Sequence, residues 1–498
     1  MSKPAFLGNV AVLGTGVTGT AVVKVLSELG AHTTAYNTDP TADVSGLPGD
    51  VVVAHTEDVL AHLKDQSFDL IVTSPGISPL GDFYRGAADY ARQRGIQLWG
   101  EMELAWQLGQ HLGKQPDWFT VTGTNGKTTT VGLVGAMLEA DGRKCAVVGN
   151  VGRSIVEVIA HQEVDALAVE MSSFQLHDTF SVSPVASVCL NIDTDHLDWH
   201  GTADNYAADK ARVYTNTQVA CAYDAADRAV ITMVENADVV EGARAIGYRP
   251  DVPQPGEVGI VEEYLVDRAF GDNYREEAIA VATLEDVSSF AGPMPSLAVI
   301  SDVLAAIVLV RAGGVAPEAV RAGLRAFRPA AHRREVIGQV ADMTWIDDSK
   351  ATNAHAARAS LRGFGQRSVI WIAGGDTKGQ DLTALVRDIE PVLRGVVVIG
   401  ADPTPVVTAL QTHAPQVPHV VVDGHEDFMF SVVNEAVALS RPGDHVVLAP
   451  ACASWDQFEN YAQRGQQFRE AVARLEQAWA QASNLGSKPE EQSENEVP

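Results

Sequence analysis

A glycine-rich stretch over residues 119–130 combines the residue types that bind phosphate. Its sequence is FTVTGTNGKTTT, and the helix-like pattern VGLVGAMLEA follows. Backbone N–H groups in such a loop and at the start of a helix can point at phosphate oxygens. Lys127 adds a positive charge, and the Thr128 hydroxyl can bind Mg²⁺. The spacing GTNGKT is tighter than the standard motif, because Val121 occupies the place of the first glycine. We predict a nucleoside triphosphate site; the alternative is a glycine-rich turn with a solvated lysine.

A second glycine-rich turn, GTGVTG, begins at Gly14. It follows the predicted strand GNVAVL and precedes a helix pattern that ends at Gly30, and the next predicted strand, HTTAYN, ends at Asn37. A GxGxxG pattern in this context, with an acidic residue about 20 positions further on, is typical of dinucleotide sites. Three alternatives remain open for this turn: an NAD site, a site for another nucleotide or nucleotide sugar, and a tight βα turn without a ligand.

Polar residues follow two further predicted strands. Glu170 ends the strand DALAVE, and the segment NIDTDHLDWH follows ASVCL. The carboxyl ends of parallel strands meet at one edge of a sheet, and Mg²⁺ prefers oxygen ligands. We therefore expect Thr128, Glu170 and an acid of the DTDH segment near a metal ion. His196 is either a metal ligand or a core histidine, since imidazole prefers softer metals. Lys210, in the helix pattern DNYAADKARVY, is either solvated or a partly buried amine with a lowered pKa.

Composition narrows the class of protein. The 498 residues carry a net charge of −28, from 36 basic and 64 acidic side chains, which disfavours nucleic acid and anionic membrane surfaces as partners. The four cysteines show no CxxC spacing, so neither a zinc site nor a disulfide framework is predicted. The first residues lack a signal-peptide pattern. The most apolar run, from Leu297 to Val310, is too short to span a membrane and is predicted to form a buried core helix. We expect a cytoplasmic monomer without membrane insertion.

Strand–helix alternation predicts an α/β fold of three domains. We place a Rossmann-like domain at residues 1–99, a central P-loop ATPase domain with a parallel sheet at 100–328, and a Rossmann-like domain at 329–484. An acidic tail at 485–498 is expected to be disordered. For residues 216–296, the sequence pattern predicts only two or three strands with long loops.

Five motifs together resemble the Mur ligases, ATP-dependent enzymes that build the peptide of bacterial peptidoglycan. The motifs are TGTNGKTT, VEMSSFQL, NIDTDHLDWHG, DDSKATN and LAPACASWDQFENYAQRGQQF. The last two are similar to the branch that adds D-glutamate to UDP-N-acetylmuramoyl-L-alanine. The resemblance implies those two substrates, ATP and two Mg²⁺ ions as cofactors, and an acyl-phosphate intermediate. We also expect the third domain to close onto the second when ATP binds.

The resemblance also implies roles for individual residues. Catalytic roles fall on Lys127, His196, Lys210 and Lys350. The ATP site would comprise Gly123, Thr124, Asn125, Gly126, Lys127, Thr128, Thr129, Arg333 and Asp348. The UDP substrate would contact Gly14, Val17, Thr18, Asn37, Thr38, Gly76, Asn150 and Ser172. D-glutamate would contact Thr352, Lys378, Ser454 and Tyr461. One metal ion would be held by Thr128 and Glu170, and the second by His196 and a carbamate formed on Lys210.

The sequence departs from the family pattern at a few positions. Asn37 stands in place of a usual Asp and Asp39 in place of an Arg, while residues 298–302 replace an HNxxN pattern near the adenine. Tyr461 stands where a Phe can occur. The alternatives are another amino-acid-adding ligase of this family, an NAD-dependent oxidoreductase built on the Gly14 turn, and a non-catalytic nucleotide-binding regulator.

Overall fold

The structure is a computed structural model that describes residues 4–42, 44–49, 51–56, 58–193, 195–291, 295–329, 331–423 and 427–485. The chain separates into two compact units, Met1–Arg328 and Pro329–Pro498. The boundary predicted between residues 99 and 100 falls inside the first unit, and the predicted domain limits stay predictions. The acidic tail predicted at 485–498 lies, beyond residue 485, outside the described residues.

The first sheet of the first unit is wholly parallel, with the strand order β3-β2-β1-β4-β5. Its central strand is buried from Val10 to Leu13, as expected for a sheet that helices cover on both faces. The chain order reverses between β1 and β4, which is where such sheets bind ligands at their carboxyl edge. The elements are β1 (Asn9–Leu13), α1 (Val17–Glu28), β2 (His32–Asn37), β3 (Val52–His55), α2 (Val59–Lys64), β4 (Leu70–Thr73), α3 (Asp82–Arg94) and β5 (Gln97–Trp99).

The second sheet of this unit has nine strands in the order β14-β13-β12-β11-β10-β9-β6-β8-β7. Strands β6 to β12 pair in parallel, and β13 and β14 add an antiparallel edge. The elements are α4 (Glu101–Leu112), β6 (Asp117–Thr122), α5 (Lys127–Ala140), β7 (Cys145–Gly149), α6 (Ile155–His161), β8 (Ala166–Glu170), α7 (Ser173–His177), β9 (Ala186–Cys189), α8 (Leu197–His200), α9 (Ala203–Ala211), β10 (Ala220–Asp224), α10 (Arg228–Glu235), β11 (Arg244–Tyr248), β12 (Glu257–Val261), β13 (Tyr264–Asp267), β14 (Ile279–Thr283), α11 (Leu284–Ala291), α12 (Leu297–Ala312) and α13 (Pro317–Ala326).

The prediction for residues 216–296 was wrong. This segment forms five strands, β10 to β14, and the helices α10 and α11. The β12–β13 hairpin turns at Glu262, a non-glycine residue with φ of 55°, so the glycine or asparagine that normally marks such a turn is missing. By contrast, the apolar run predicted as a core helix is confirmed as α12, which is buried from Val303 to Val310. Among the described residues, no helix has the length and apolar character needed to cross a bilayer.

Hydrogen bonds and a shared core join the two sheets of the first unit. One hydrophobic cluster contains residues of β1 and α1 together with residues of α4, α6 and β8. The Tyr84 hydroxyl donates to Asp178 Oδ1 at 2.6 Å, and the Ser78 hydroxyl donates to the Trp199 carbonyl at 3.0 Å. The two glycine-rich turns therefore belong to one compact body.

The second unit contains a six-stranded sheet in the order β15-β16-β20-β17-β18-β19. All pairs are parallel except β15 with β16, which confirms the predicted α/β class. Strand β15 was not predicted; it is an edge strand whose Val336 is exposed. The elements are β15 (Glu335–Val340), β16 (Met343–Asp347), α14 (Ala354–Leu361), β17 (Val369–Gly374), α15 (Thr383–Ile389), β18 (Leu393–Ile399), α16 (Thr404–His413), β19 (His419–Val421), α17 (Phe428–Leu439), β20 (His445–Leu448) and α18 (Tyr461–Leu485).

Candidate active site

The predicted phosphate loop connects β6 to α5, as its sequence pattern requires. Gly126 caps α5 with a φ of 86°, a left-handed conformation that favours glycine. The Lys127 ammonium folds back over the loop and donates to the carbonyls of Gly123 (2.8 Å) and Thr124 (3.0 Å). The start of α5 carries no acidic side chain, so the positive end of the helix dipole and Lys127 together favour an anion at this place.

Residues after β9 hold the loop in shape. The Thr124 backbone N–H donates to the Asn191 carbonyl at 3.0 Å, and the Asn125 N–H donates to Asn191 Oδ1 at 3.0 Å. The Thr124 hydroxyl lies 3.0 Å from the Tyr206 hydroxyl. Asn191 and Tyr206 were not predicted as site residues, although both lie within segments that the sequence had singled out.

Two predicted metal ligands lie in direct contact. The Thr128 hydroxyl donates to Glu170 Oε2 at 2.7 Å, and the Asn150 side-chain amide donates to Glu170 Oε1 at 2.9 Å. Glu170 is 2% exposed and lies at the carboxyl end of β8. A hydroxyl beside a carboxylate offers the hard oxygen donors that suit Mg²⁺. Among the described residues no group of three or more His, Cys, Asp and Glu side chains could hold a metal ion.

Lys210 is buried, which decides between the two alternatives that the sequence left open. Its side chain is 2% exposed, and its ammonium donates to the Gly123 carbonyl at 2.8 Å and to the Thr122 hydroxyl at 3.3 Å. Burial, reinforced by the nearby charge of Lys127, lowers the pKa of Lys210 to about 7. A neutral amine is the form that reacts with CO₂, so the position fits a lysine carbamate.

His196 caps the short helix α8 with a φ of 51°. Its Nε2 lies 3.5 Å from Asp195 Oδ2, and the side chain is 42% exposed. The ring of Phe174 packs edge-on against it at a centroid distance of 4.7 Å. A half-exposed imidazole that is fixed by an aromatic neighbour suits a ligand better than a core residue. Ser172 caps α7 through a reciprocal pair of hydrogen bonds with Gln175.

The Gly14 turn forms a cradle at the carboxyl edge of the first sheet. Gly14 has a φ of 90° and packs against Ser74, and a side chain at Gly19 would collide with the Gly14 carbonyl. The Ser74 hydroxyl is buried without a hydrogen-bond partner in the structure, and Val17, the first residue of α1, is 90% exposed. A helix N-terminus beside an unsatisfied hydroxyl fits a phosphate-containing ligand.

Asn37 and Gly76 lie around the same edge. The Asn37 amide donates to the Thr15 hydroxyl, and Asn37 Oδ1 accepts the Asp39 N–H at 3.1 Å. Gly76 lies in the turn after β4, which the Ile77 N–H closes by donating to the Ser74 carbonyl at 3.1 Å. Thr15 and Ser74 were missed as candidates, although Thr15 lies within the glycine pattern and Ser74 lies two residues before the predicted Gly76.

In the second unit, three of the four predicted glutamate-site residues lie on loops that follow strands of the sheet, namely Thr352, Lys378 and Ser454, and the fourth, Tyr461, begins α18. The Asp376 N–H donates to the Ala453 carbonyl at 3.0 Å, and the Ala453 N–H donates back at 2.8 Å. This bridge places Lys378 beside the segment after β20, and its ammonium lies 5.3 Å from the centre of the Trp455 ring. The neighbouring Ser454 is buried.

Lys350 and Tyr461 form a second pair of a cation and an aromatic ring. The Lys350 ammonium lies 3.7 Å from the centre of the Tyr461 ring. The predicted Thr352 follows closely, and its N–H donates to the Lys350 carbonyl at 2.8 Å. Cations over aromatic faces remain available to anions on their other side. Lysines from two loops therefore converge on the 454–461 segment.

Arg464 is fully buried on α18 and connects these loops through hydrogen bonds. The sequence patterns did not predict this role. It donates to the hydroxyl of Ser349 at 3.0 Å, to the Ser349 carbonyl at 2.9 Å and to the Cys452 carbonyl at 3.3 Å. Burial lowers the pKa of its guanidinium to about 10. The motif QRG had included this residue, but nothing in the spacing indicated its partners.

The predicted nucleotide residues of the second unit flank the pair of strands β15 and β16: Arg333 lies two residues before β15, and Asp348 directly follows β16. Asp348 is buried, and its N–H donates to the Leu448 carbonyl at 2.9 Å. Burial raises the pKa of its carboxyl, while the charges of Arg334 and Arg333 oppose the rise. Arg333 and Asp348 thus lie within electrostatic reach of each other.

Two family descriptions match the chain: "Mur ligase middle domain" over residues 121–250 and "Mur ligase, glutamate ligase domain" over residues 332–452. The fold and these matches define an ATP-dependent ligase of the Mur class. The UDP-N-acetylmuramoylalanine–D-glutamate ligase of Streptomyces coelicolor is 44% identical, covering 94% of this chain and 98% of that protein. The enzyme of the same name from Leifsonia xyli is 45% identical, covering 97% and 95%. This chain belongs to the family of the UDP-N-acetylmuramoylalanine–D-glutamate ligases.

Solved structures show the same fold at low sequence identity. MurF from Acinetobacter baumannii is 16% identical with a TM-score of 0.56, covering 94% of this chain and 90% of that one. The UDP-N-acetylmuramate-alanine ligase MurC from Thermotoga maritima is 16% identical with a TM-score of 0.53, covering 94% and 99%. The family assignment confirms the predicted resemblance and leaves the nicotinamide-dependent alternative without support.

Proposed function

We propose that this protein joins D-glutamate to UDP-N-acetylmuramoyl-L-alanine with the hydrolysis of ATP to ADP and phosphate, in the synthesis of peptidoglycan precursors. The observation that carries the proposal is identity of 44% to a ligase of that name over 94% of the chain. The contacts among Lys127, Thr128, Glu170 and Asn150 supply the chemistry that such a reaction needs.

The first step transfers a phosphoryl group. The carboxylate of the alanyl substrate attacks the γ-phosphorus, the bond to the bridging oxygen breaks, and ADP leaves with its electron pair. Two anions must approach each other, so fixed positive charge lowers the barrier. Lys127 and the start of α5 supply such charge. Magnesium ions, bound by Thr128 with Glu170 and by His196 with a carbamate on Lys210, would add to it.

The second step forms the amide. The neutral amine of D-glutamate attacks the acyl carbon, phosphate leaves, and the amine loses a proton. We assign Lys378, Ser454, Thr352 and Tyr461 to hold the two carboxylates of glutamate, and Lys350 to the reacting phosphate. Support comes from the convergence of both lysines on the 454–461 segment. Arg333 and Asp348 are assigned to the nucleotide.

We assign the Gly14 turn to the uridine diphosphate of the acceptor. Gly14, Val17, Thr18, Asn37, Thr38 and Gly76 would contact it, and Asn150 and Ser172 would contact the part nearer the reaction. The unsatisfied Ser74 hydroxyl and the open start of α1 support this assignment. The expected monomeric state and cytoplasmic location remain part of the proposal; light scattering of the purified protein tests the former.

The decisive experiment measures phosphate release with UDP-N-acetylmuramoyl-L-alanine, ATP and Mg²⁺ while each candidate amino acid is added in turn. D-glutamate alone should support release, and L-glutamate is the control for stereochemistry. Release with a different amino acid would indicate another ligase of the family. Absence of any amino-acid-dependent release, with ATP still bound, would indicate a nucleotide-binding regulator.

A further inference from the structure

Four polar side chains of α7, α8 and α9 form a continuous hydrogen-bonded chain. The Ser173 hydroxyl lies 2.9 Å from His200 Nε2, and His200 Nδ1 lies 2.9 Å from Asp209 Oδ2. His177 Nδ1 lies 3.0 Å from each oxygen of the same carboxylate. Ser173, His200 and Asp209 are 3%, 2% and 6% exposed. None of these four residues has a role in the two chemical steps above.

The direction of these hydrogen bonds follows from the carboxylate. Both oxygens of the Asp209 carboxyl lie 2.9 to 3.0 Å from imidazole nitrogens of His177 and His200. An ionised carboxylate only accepts hydrogen bonds, so both imidazoles donate from Nδ1. With Nδ1 as the donor, Nε2 of the His200 imidazole faces the Ser173 hydroxyl, which donates to it. A buried charge requires such partners, so the four side chains fix one another.

The order Ser–His–Asp matches that of a nucleophilic triad, but the position of the serine excludes this role. Ser173 is 3% exposed, in the first turn of α7. Its hydroxyl is therefore closed to a substrate. The arrangement can only orient the elements that carry it.

Two members of the chain adjoin residues of the proposed site. Ser173 follows Ser172, and Asp209 precedes Lys210. On a helix, consecutive side chains point about 100° apart. Anchoring Asp209 on one side of α9 therefore fixes the rotation that turns Lys210 toward the Gly123 carbonyl, 2.8 Å away.

The hydrogen bond between His200 and Asp209 also constrains the segment that contains His196. His200 ends α8, the helix that His196 caps. The ring of Phe174 stacks on His200 at 5.5 Å and contacts His196 at 4.7 Å. One ring therefore touches both histidines, and a shift of His200 would be passed to His196.

We propose that Ser173, His177, His200 and Asp209 are positioning residues that hold Lys210 and His196 in register for the second metal ion. The proposal rests on the proposed function, because that function requires this metal site. Asp209 is central to this arrangement, because its carboxylate on α9 accepts hydrogen bonds from one histidine of α7 and one histidine of α8.

The test compares Asp209→Asn with the wild-type full-length enzyme. An asparagine keeps the shape but removes the negative charge and one of the two acceptor oxygens, so the hydrogen bonds from the two imidazoles weaken. The Mg²⁺ concentration for half-maximal phosphate release should rise about 10- to 100-fold, as for other residues that orient metal ligands. The ¹³C resonance of the carbamate in ¹³C-bicarbonate buffer, assigned by its loss in Lys210→Ala, should weaken. Asp204→Asn, an exposed carboxylate on the same helix, should change neither.

The Mg²⁺ requirement and the carbamate resonance distinguish a positioning role of Asp209 from a purely structural role. An unchanged Mg²⁺ requirement and carbamate resonance in Asp209→Asn would overturn the proposal, whatever happens to its melting temperature. If Asp209→Asn does not fold, Ser173→Ala, which removes one hydroxyl, should raise the Mg²⁺ requirement severalfold with an unchanged circular dichroism spectrum; no rise would overturn the proposal. Absence of the resonance in the wild type would instead contradict the carbamate of the proposed function.

Discussion

The burial of Lys210 predicts that its removal stabilises the folded protein at neutral and acidic pH. In the folded protein its pKa is about 7, against an ordinary value of 10.5. Because one pKa unit corresponds to about 1.4 kcal/mol, the folded state pays about 5 kcal/mol for this ammonium when the group is charged in both states. Lys210→Met keeps the aliphatic bulk and removes that cost. The Gly123 carbonyl still accepts from Lys127, so the substitution leaves it with a partner.

The pH dependence follows from the direction of the pKa change. Below pH 7 both the folded and unfolded states carry the proton, and the cost is complete. Between pH 7 and 10.5 the unfolded chain binds the proton and the folded protein does not, so the stability of the wild type rises by about 1.4 kcal/mol per pH unit. Above pH 10.5 both states are neutral and the cost is gone. The advantage of Lys210→Met should therefore be greatest at pH 6 and shrink steadily above pH 7.

The assay is urea unfolding at pH values from 6 to 10, followed by tryptophan fluorescence and circular dichroism. The buffers are free of CO₂, because carbamate formation would consume the neutral amine of Lys210. Lys64→Met is the control for the loss of one positive charge, since Lys64 is exposed. The difference in the free energy of unfolding between this variant and the wild type should not vary with pH. A Lys210→Met difference that is constant with pH, or a variant less stable than the wild type at pH 6, would refute the reasoning. The variant should also lose phosphate release.

Three further substitutions test the phosphate loop and its metal ligands. Lys127→Ala should lower kcat for glutamate-dependent phosphate release about 10²- to 10³-fold, because a fixed charge at the transferring phosphate is lost; Lys64→Ala should not. Glu170→Gln should raise the Mg²⁺ requirement about 10-fold or more, because the metal ion would lose the anionic ligand that Glu170 supplies beside Thr128, whereas the exposed Glu139→Gln should leave it unchanged. Gly126→Ala should weaken ATP binding measured by calorimetry, since Gly126 has a positive φ and a Cβ there would collide with Asp302. Unchanged values for these variants would contradict the assigned roles.

A second glycine, Gly142, separates the effect of backbone strain from the effect of a steric collision in the phosphate loop. Gly142 also has a positive φ, of 85°, but a Cβ there would meet nothing within 4 Å. Gly142→Ala should therefore lower the melting temperature through backbone strain while ATP binding persists. If both alanine variants bind ATP as the wild type does, the loop geometry does not shape the site.

Much of the site could be predicted because its residues stand in local patterns. The phosphate loop, the Gly14 turn and the polar ends of β8 and β9 follow apolar strands in sequence. Parallel pairing alone carries them to one sheet edge. The contact of Thr128 with Glu170 follows from this rule, and so does the placement of Lys378 beside the segment after β20.

The remaining features depend on partners that lie far apart in the chain. Lys210 and Thr122 are 88 residues apart, and no helical periodicity reveals that this lysine is buried rather than solvated. Likewise, the convergence of His177 and His200 on Asp209, and of Arg464 on two loops, arises only when separate elements pack. The sequence by itself determined the α/β class, the strand-end motifs and the phosphate loop, because these depend on local alternation and spacing. Only the tertiary structure decided which polar groups lose water, and burial is the physical reason that Lys210 can be neutral near pH 7.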